Sequence, residues 1–207
     1  MKELSVLKKV VGIDSVSDTL SLIMGCLSGD AASLCKAAED IVSVPYHASQ
    51  YIFWRKFCKF IEGVYSSSEF ARRFAETITN TPHRDRYSTK IMQIINQIDE
   101  DEKVDYIVNA TRALCWGRIS TSEYFRICLA IQRCFFEDLM FVRDNYSDSL
   151  FAEDMVVSEL KSCGLMYQPG SDGGDFSFDD SSIKNHRFTP LAELVYKFSL
   201  AYDIDEE

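Results

Sequence analysis

The chain is poor in the residues and spacings that usually announce chemistry. Its three histidines, His47, His83 and His186, lie far apart, and no HExxH or Cys/His spacing of the kind that holds zinc occurs. No glycine-rich loop follows a strand pattern and there is no GxSxG, which removes the common phosphate loops and the serine-hydrolase elbow. His83, Arg84 and Asp85 spell the start of a kinase catalytic loop, but Lys90 stands where its asparagine belongs, and the kinase glycine loop and DFG are missing. No apolar run approaches the length of about 18 residues that a spanning helix needs. The N-terminal apolar segment is interrupted by Asp14 with no cleavage pattern after it, so no signal peptide is expected. The seven cysteines, Cys26, Cys35, Cys58, Cys115, Cys128, Cys134 and Cys163, are odd in number and form no CxxC pair. That usage favours a reduced, cytoplasmic protein whose cysteines serve as small core residues. Asp172, Asp175, Asp179 and Asp180 lack the ligand alternation of a calcium loop and fit a solvated turn, so neither a metal nor a cofactor is expected.

What the chain does have is helical periodicity. With 207 residues, 46% hydrophobic and 26% charged, it can bury a core and leaves no ground for long disorder. Ser120–Tyr146 is the longest helical pattern, opened by a capping box of Ser120 and Glu123 and apolar over most of its circumference, so it is predicted as one central helix surrounded by others. Further helices are predicted at Asp18–Leu27, Ala31–Val44, His47–Tyr65, Ser66–Thr79, Arg84–Ile98 and Asp101–Trp116, the last closed by Gly117. After Tyr146 come a helix over Ser149–Cys163, a strand near Leu165–Tyr167, a second strand near Phe176–Phe178 and a last helix started by Thr189 and Pro190. The expected fold is mainly α: a multi-helix bundle around a long central helix, with a small winged-helix-like β-hairpin near the C-terminus. The helical body would span 1–146 and the tail 147–207, packed on the body in one compact unit.

With those elements placed, the chain resembles a loose group of bacterial and prophage proteins that share a helical body and a winged-helix-like tail. The residues that carry the resemblance are Lys56, Phe57, Phe60 and Ile61, then Ile98, Asp99 and Lys103, then Ile119, Ser120 and Phe125. Phe136, Asp138, Leu139, Gly164, Leu165, Thr189 and Leu191 complete it, over about residues 45–200. Ala192 and Glu193 stand where a glycine is usual in the group. The resemblance implies a bacterial or mobile-element setting, with phage–host conflict as one process, and it supplies no catalytic residue.

The formal charge of −10 is unevenly spread. Residues 51–90 carry Arg55, Lys56, Lys59, Arg72, Arg73, Arg84, Arg86 and Lys90 against four acids, whereas acids dominate from residue 91 onward. Arg55, Lys56, Lys59, Arg72, Arg73, Arg84 and Arg86 are therefore the candidate docking face. A winged-helix tail invites a DNA-binding reading, but between Ser147 and Asn185 only Lys161 and Lys184 oppose eight acids, and a duplex binder needs several cations for phosphate. The expectation is a non-enzymatic protein-interaction or regulatory protein with a protein partner. The alternatives are a nucleic-acid-associated regulator or acidic mimic of nucleic acid, and a peripheral membrane protein that lays the basic aromatic helix His47–Tyr65 on an anionic surface.

Overall fold

The computed structural model describes residues 48–79, 84–147, 150–152, 154–169 and 186–202. The helices expected at Asp18–Leu27 and Ala31–Val44, and the strand expected at Phe176–Phe178, lie outside the described residues. The described chain is mainly helical with one small antiparallel sheet: α1 (Ala48–Val64), α2 (Ser68–Thr79), α3 (Arg84–Gln97), α4 (Glu102–Cys115), α5 (Thr121–Arg133), α6 (Phe136–Asn145), α7 (Met155–Ser162), β1 (Met166–Tyr167), β2 (Arg187–Phe188) and α8 (Pro190–Val195), continued by a single π-turn, Tyr196–Leu200. None of the described helices is long and apolar enough to cross a membrane.

Two compact units are present, Met1–Val108 and Asn109–Glu207. In the first, α1, α2 and α3 pack on one another. Apolar residues at helical spacing supply the core: Phe57, Phe60, Ile61 and Val64 from α1, Phe70, Phe74 and Ile78 from α2, and Ile91, Ile94 and Ile95 from α3, all buried. Gly63 permits a close approach. A Cβ there would lie 2.7 and 2.8 Å from the two methyl groups of Val108, well inside van der Waals contact.

In the second unit α5 packs against α8, α6 against the π-turn and α7, and α7 against β1. Tyr146 ties α6 to the tail: its ring stacks on Tyr196 with centroids 4.3 Å apart and on Phe188 at 5.5 Å. Helix ends obey local chemistry. Ser120 and Glu123 form the full capping box at the start of α5. Asp154 caps α7 and Thr189 caps α8. Both α4 and α7 end in Schellman motifs around Gly117 and Gly164, with φ of +69° and +78°; Arg118 N–H donates to Ala113 C=O, and Leu165 N–H to Leu160 C=O.

Two expectations are corrected. The central helix is not continuous: Cys134 and Phe135 are both extended, with ψ of 149° and 152°, so α5 ends and α6 begins between them. Arg133 sits in the last turn of α5 and Glu137 and Asp138 in the first turn of α6, each with the charge that favours a helix end at that point. The helix expected from Ser149 begins only at Met155, because Phe151 is an extended residue that exchanges backbone hydrogen bonds with His186. β1 pairs antiparallel with β2, Met166 opposite Phe188 and Tyr167 opposite Arg187.

Candidate functional sites on the two units

The seven cations of the candidate docking face are put to different uses. Arg55 Nε pairs with Asp101 Oδ2 at 2.7 Å. Lys59 Nζ donates to the Asp101 carbonyl at 2.8 Å and pairs with Asp105 Oδ2 at 2.7 Å. Lys56, one position along from Arg55, is only 3% exposed and donates from Nζ to the backbone carbonyl of Ile98. Three neighbouring cations of α1 therefore converge on the loop between α3 and α4. Arg72 and Arg73 form surface pairs within α2, with Glu76 at 2.6 Å and Glu69 at 2.9 Å. Arg86 is exposed on α3, and Arg84 opens that helix with its side chain outside the described residues.

The α3–α4 loop is a dense polar cluster. Lys103 is fully buried, and its Nζ meets Asp99 Oδ1 at 2.6 Å. Burial pushes the Asp99 carboxyl up, but the Lys103 ammonium and the N–H groups of Asp99 and Glu100 hold it below its ordinary value. Burial pulls the Lys56 ammonium below its ordinary value, against the attraction of Asp101 and Asp99, and Arg55 adds to the lowering. Four residues singled out in the sequence, Lys56, Ile98, Asp99 and Lys103, thus meet in one place although α1 and the loop are some forty positions apart. Lys56 is engaged with the Ile98 carbonyl and Lys103 with Asp99, whereas Asp101 Oδ1 is buried without a hydrogen-bond partner.

The second cluster lies at the α5–α6 break. Cys134 is buried at the end of α5, and Cys163 is the half-buried C-cap residue of α7. Ser162 Oγ lies 3.9 Å from Cys163 Sγ. The hydrogen bond from Cys134, then that from Ser162, brings the Cys163 thiol down to about 7, against partial burial and the negative charges of Asp138 and Glu159. Asp138 is itself 7% exposed, while Phe135, three residues earlier, is 59% exposed. One turn of chain therefore holds an acid in and an aromatic ring out, the reverse of the usual distribution.

The sequence gives no local sign of the lowered Cys163 thiol, since Cys163 has no histidine beside it and no CxxC partner. Among the described residues no three His, Cys, Asp or Glu side chains are grouped to share a metal ion. No protein-family model, no curated protein and no solved structure matches this chain.

Proposed function

We propose that this chain is a non-enzymatic protein-interaction protein of bacterial or mobile-element origin, which docks a protein partner through the surface around the α5–α6 break. The observation that supports it is Phe135. A large ring left mostly in water forgoes the stabilisation of burial, and covering it on a partner would recover about 1–2 kcal/mol, or roughly fivefold to thirtyfold in affinity. The cations first taken as the docking face contribute less to this reading, because Arg55, Lys56 and Lys59 are engaged with the α3–α4 loop.

The test is a native pull-down of tagged protein from host lysate at low and moderate salt, with mass spectrometry and an absorbance check for nucleic acid, run beside Phe135→Ser. One stoichiometric protein retained at moderate salt by the wild type, and weakened about fivefold or more by a variant with an unchanged thermal midpoint, is the expected result. Equal capture by the variant, or nucleic acid that leaves as salt rises, would overturn the reading.

A further inference from the structure

We propose, resting on the reading of Phe135 as a docking residue, that its partner is an acidic protein segment whose carboxylates pair with Arg126 and Arg133 while an apolar side chain covers the ring. Ser122, Arg126, Leu129 and Arg133 follow one another at steps of four, three and four residues, so they share one face of α5. Ser122 and both arginines are exposed, Leu129 is half-buried, and the stripe runs on to Phe135 two residues beyond. Along the helix axis the two arginine positions stand about 10.5 Å apart.

Among the described residues neither arginine has an ion pair or a side-chain hydrogen bond. A cation on a helix is commonly met by an acid three or four positions away, as Glu76 and Glu69 meet Arg72 and Arg73 on α2. Around Arg126 those positions are Ser122, Glu123, Leu129 and Ala130, and the Glu123 carboxylate is taken by Ser120 N–H in the capping box at 2.7 Å. Behind Arg133 they are Leu129 and Ala130, which carry no charge. Ahead of it the acid is Glu137, but the extended Cys134 and Phe135 interrupt the helix between the two, and the pair does not form. On α8, which packs against α5, Glu193 is held by Lys197 at 2.8 Å.

Two uncompensated guanidinium groups and an aromatic ring thus face water side by side. The exposed Glu137 offsets part of that charge and leaves the stripe on α5 cationic. A nucleic-acid duplex draws its affinity from many phosphate contacts, which two cations on a chain of formal charge −10 do not supply. A few carboxylates beside an apolar residue match what is present.

The experiment follows the fluorescence anisotropy of three labelled probes titrated with the full chain. They are a helical peptide with two glutamates at the spacing of Arg126 and Arg133 and a leucine just beyond, the same peptide with glutamines, and a short DNA duplex. At low salt the glutamate peptide should bind about threefold to tenfold tighter than the glutamine peptide, and the preference should vanish near 1 M salt. It should also vanish in Arg126→Gln/Arg133→Gln, whose exposed, helix-compatible substitutions leave the thermal midpoint in place. Equal binding of the two peptides, a preference that survives in the double variant, tighter binding of the duplex, or no binding of the glutamate peptide would each overturn the proposal. Phe135→Ser separates the two readings. Weaker binding of both peptides with the glutamate preference intact supports both. Equal binding of the two peptides that falls in Phe135→Ser removes the acidic partner and leaves the docking ring, whereas a glutamate preference and affinity unmoved by Phe135→Ser removes the ring and supports the carboxylate pairing.

Discussion

Replacing Lys56 by methionine separates what its charge does from what its stem does. The ammonium is the donor to the carbonyl of Ile98, a residue only 1% exposed, so its loss leaves a carbonyl in a dry setting, at a cost of about 1–3 kcal/mol. Against this, methionine no longer holds a charge out of water, the same term that lowers the Lys56 pKa. The attraction of Asp101 and Asp99 that is also lost is shared with solvent, since Asp99 is exposed, and is worth at most about 1 kcal/mol. The balance is a destabilisation of about 1–2 kcal/mol for Lys56→Met. Lys56→Ala also removes the stem from the interior, and the void raises the loss to about 3–5 kcal/mol. Urea unfolding with equal slopes for wild type and both variants measures this. The pH dependence has a definite sign. The folded pKa lies below the ordinary 10.5, so the cost of carrying the charge is fully present at neutral pH and is relieved as pH rises towards 10.5. The wild type should therefore gain on Lys56→Met over that rise. A Lys56→Met protein as stable as wild type at pH 7, or more stable, would refute the argument that the carbonyl contact outweighs desolvation.

Two further outcomes follow from the second unit. Ser120→Ala removes the oxygen that accepts from Glu123 N–H at 3.3 Å and should cost about 1 kcal/mol in urea unfolding, with Ser120→Thr largely restoring it. Reduced Cys163, with its thiol near 7, should react with an alkylating agent at pH 7 about threefold to tenfold faster than a free thiol of ordinary pKa. Its depressed folded pKa also makes the wild type gain stability over Cys163→Ala as pH rises from about 7 towards 9, and lose that gain as pH falls back through 7. Denaturant midpoints across that range, taken with reductant present, check it.

How far the molecule was legible differs from element to element. Helix starts and stops governed by neighbours in sequence were readable: the Ser120–Glu123 box, the Thr189–Pro190 start and the glycine stop at Gly117 all sit where local hydrogen bonding puts them. The break at Cys134–Phe135 was not, because apolar residues continue through it on both faces and periodicity reports only whether residues can be buried. The usable signal was charge order, Arg133 followed by Glu137 and Asp138. Counting charge in residues 51–90 likewise missed what happens to Arg55 and Lys59, since their partners Asp101 and Asp105 stand beyond that stretch. The Phe151–His186 bridge is a long-range meeting, for which nothing local prepares.

The absence of a side chain at position 63 reaches further than the helix it sits in. Because both Val108 methyls occupy the place where a Cβ of residue 63 would go, the two positions draw on one fixed allotment of space. Neither can be varied as if the other were not there: alanine at 63 becomes admissible only alongside a smaller residue at 108, and a bulkier residue at 108 depends on glycine remaining at 63. In any set of working sequences with this fold, sizes at these two positions should therefore change in opposite directions, a coupled pair recorded in the spacing between α1 and α4.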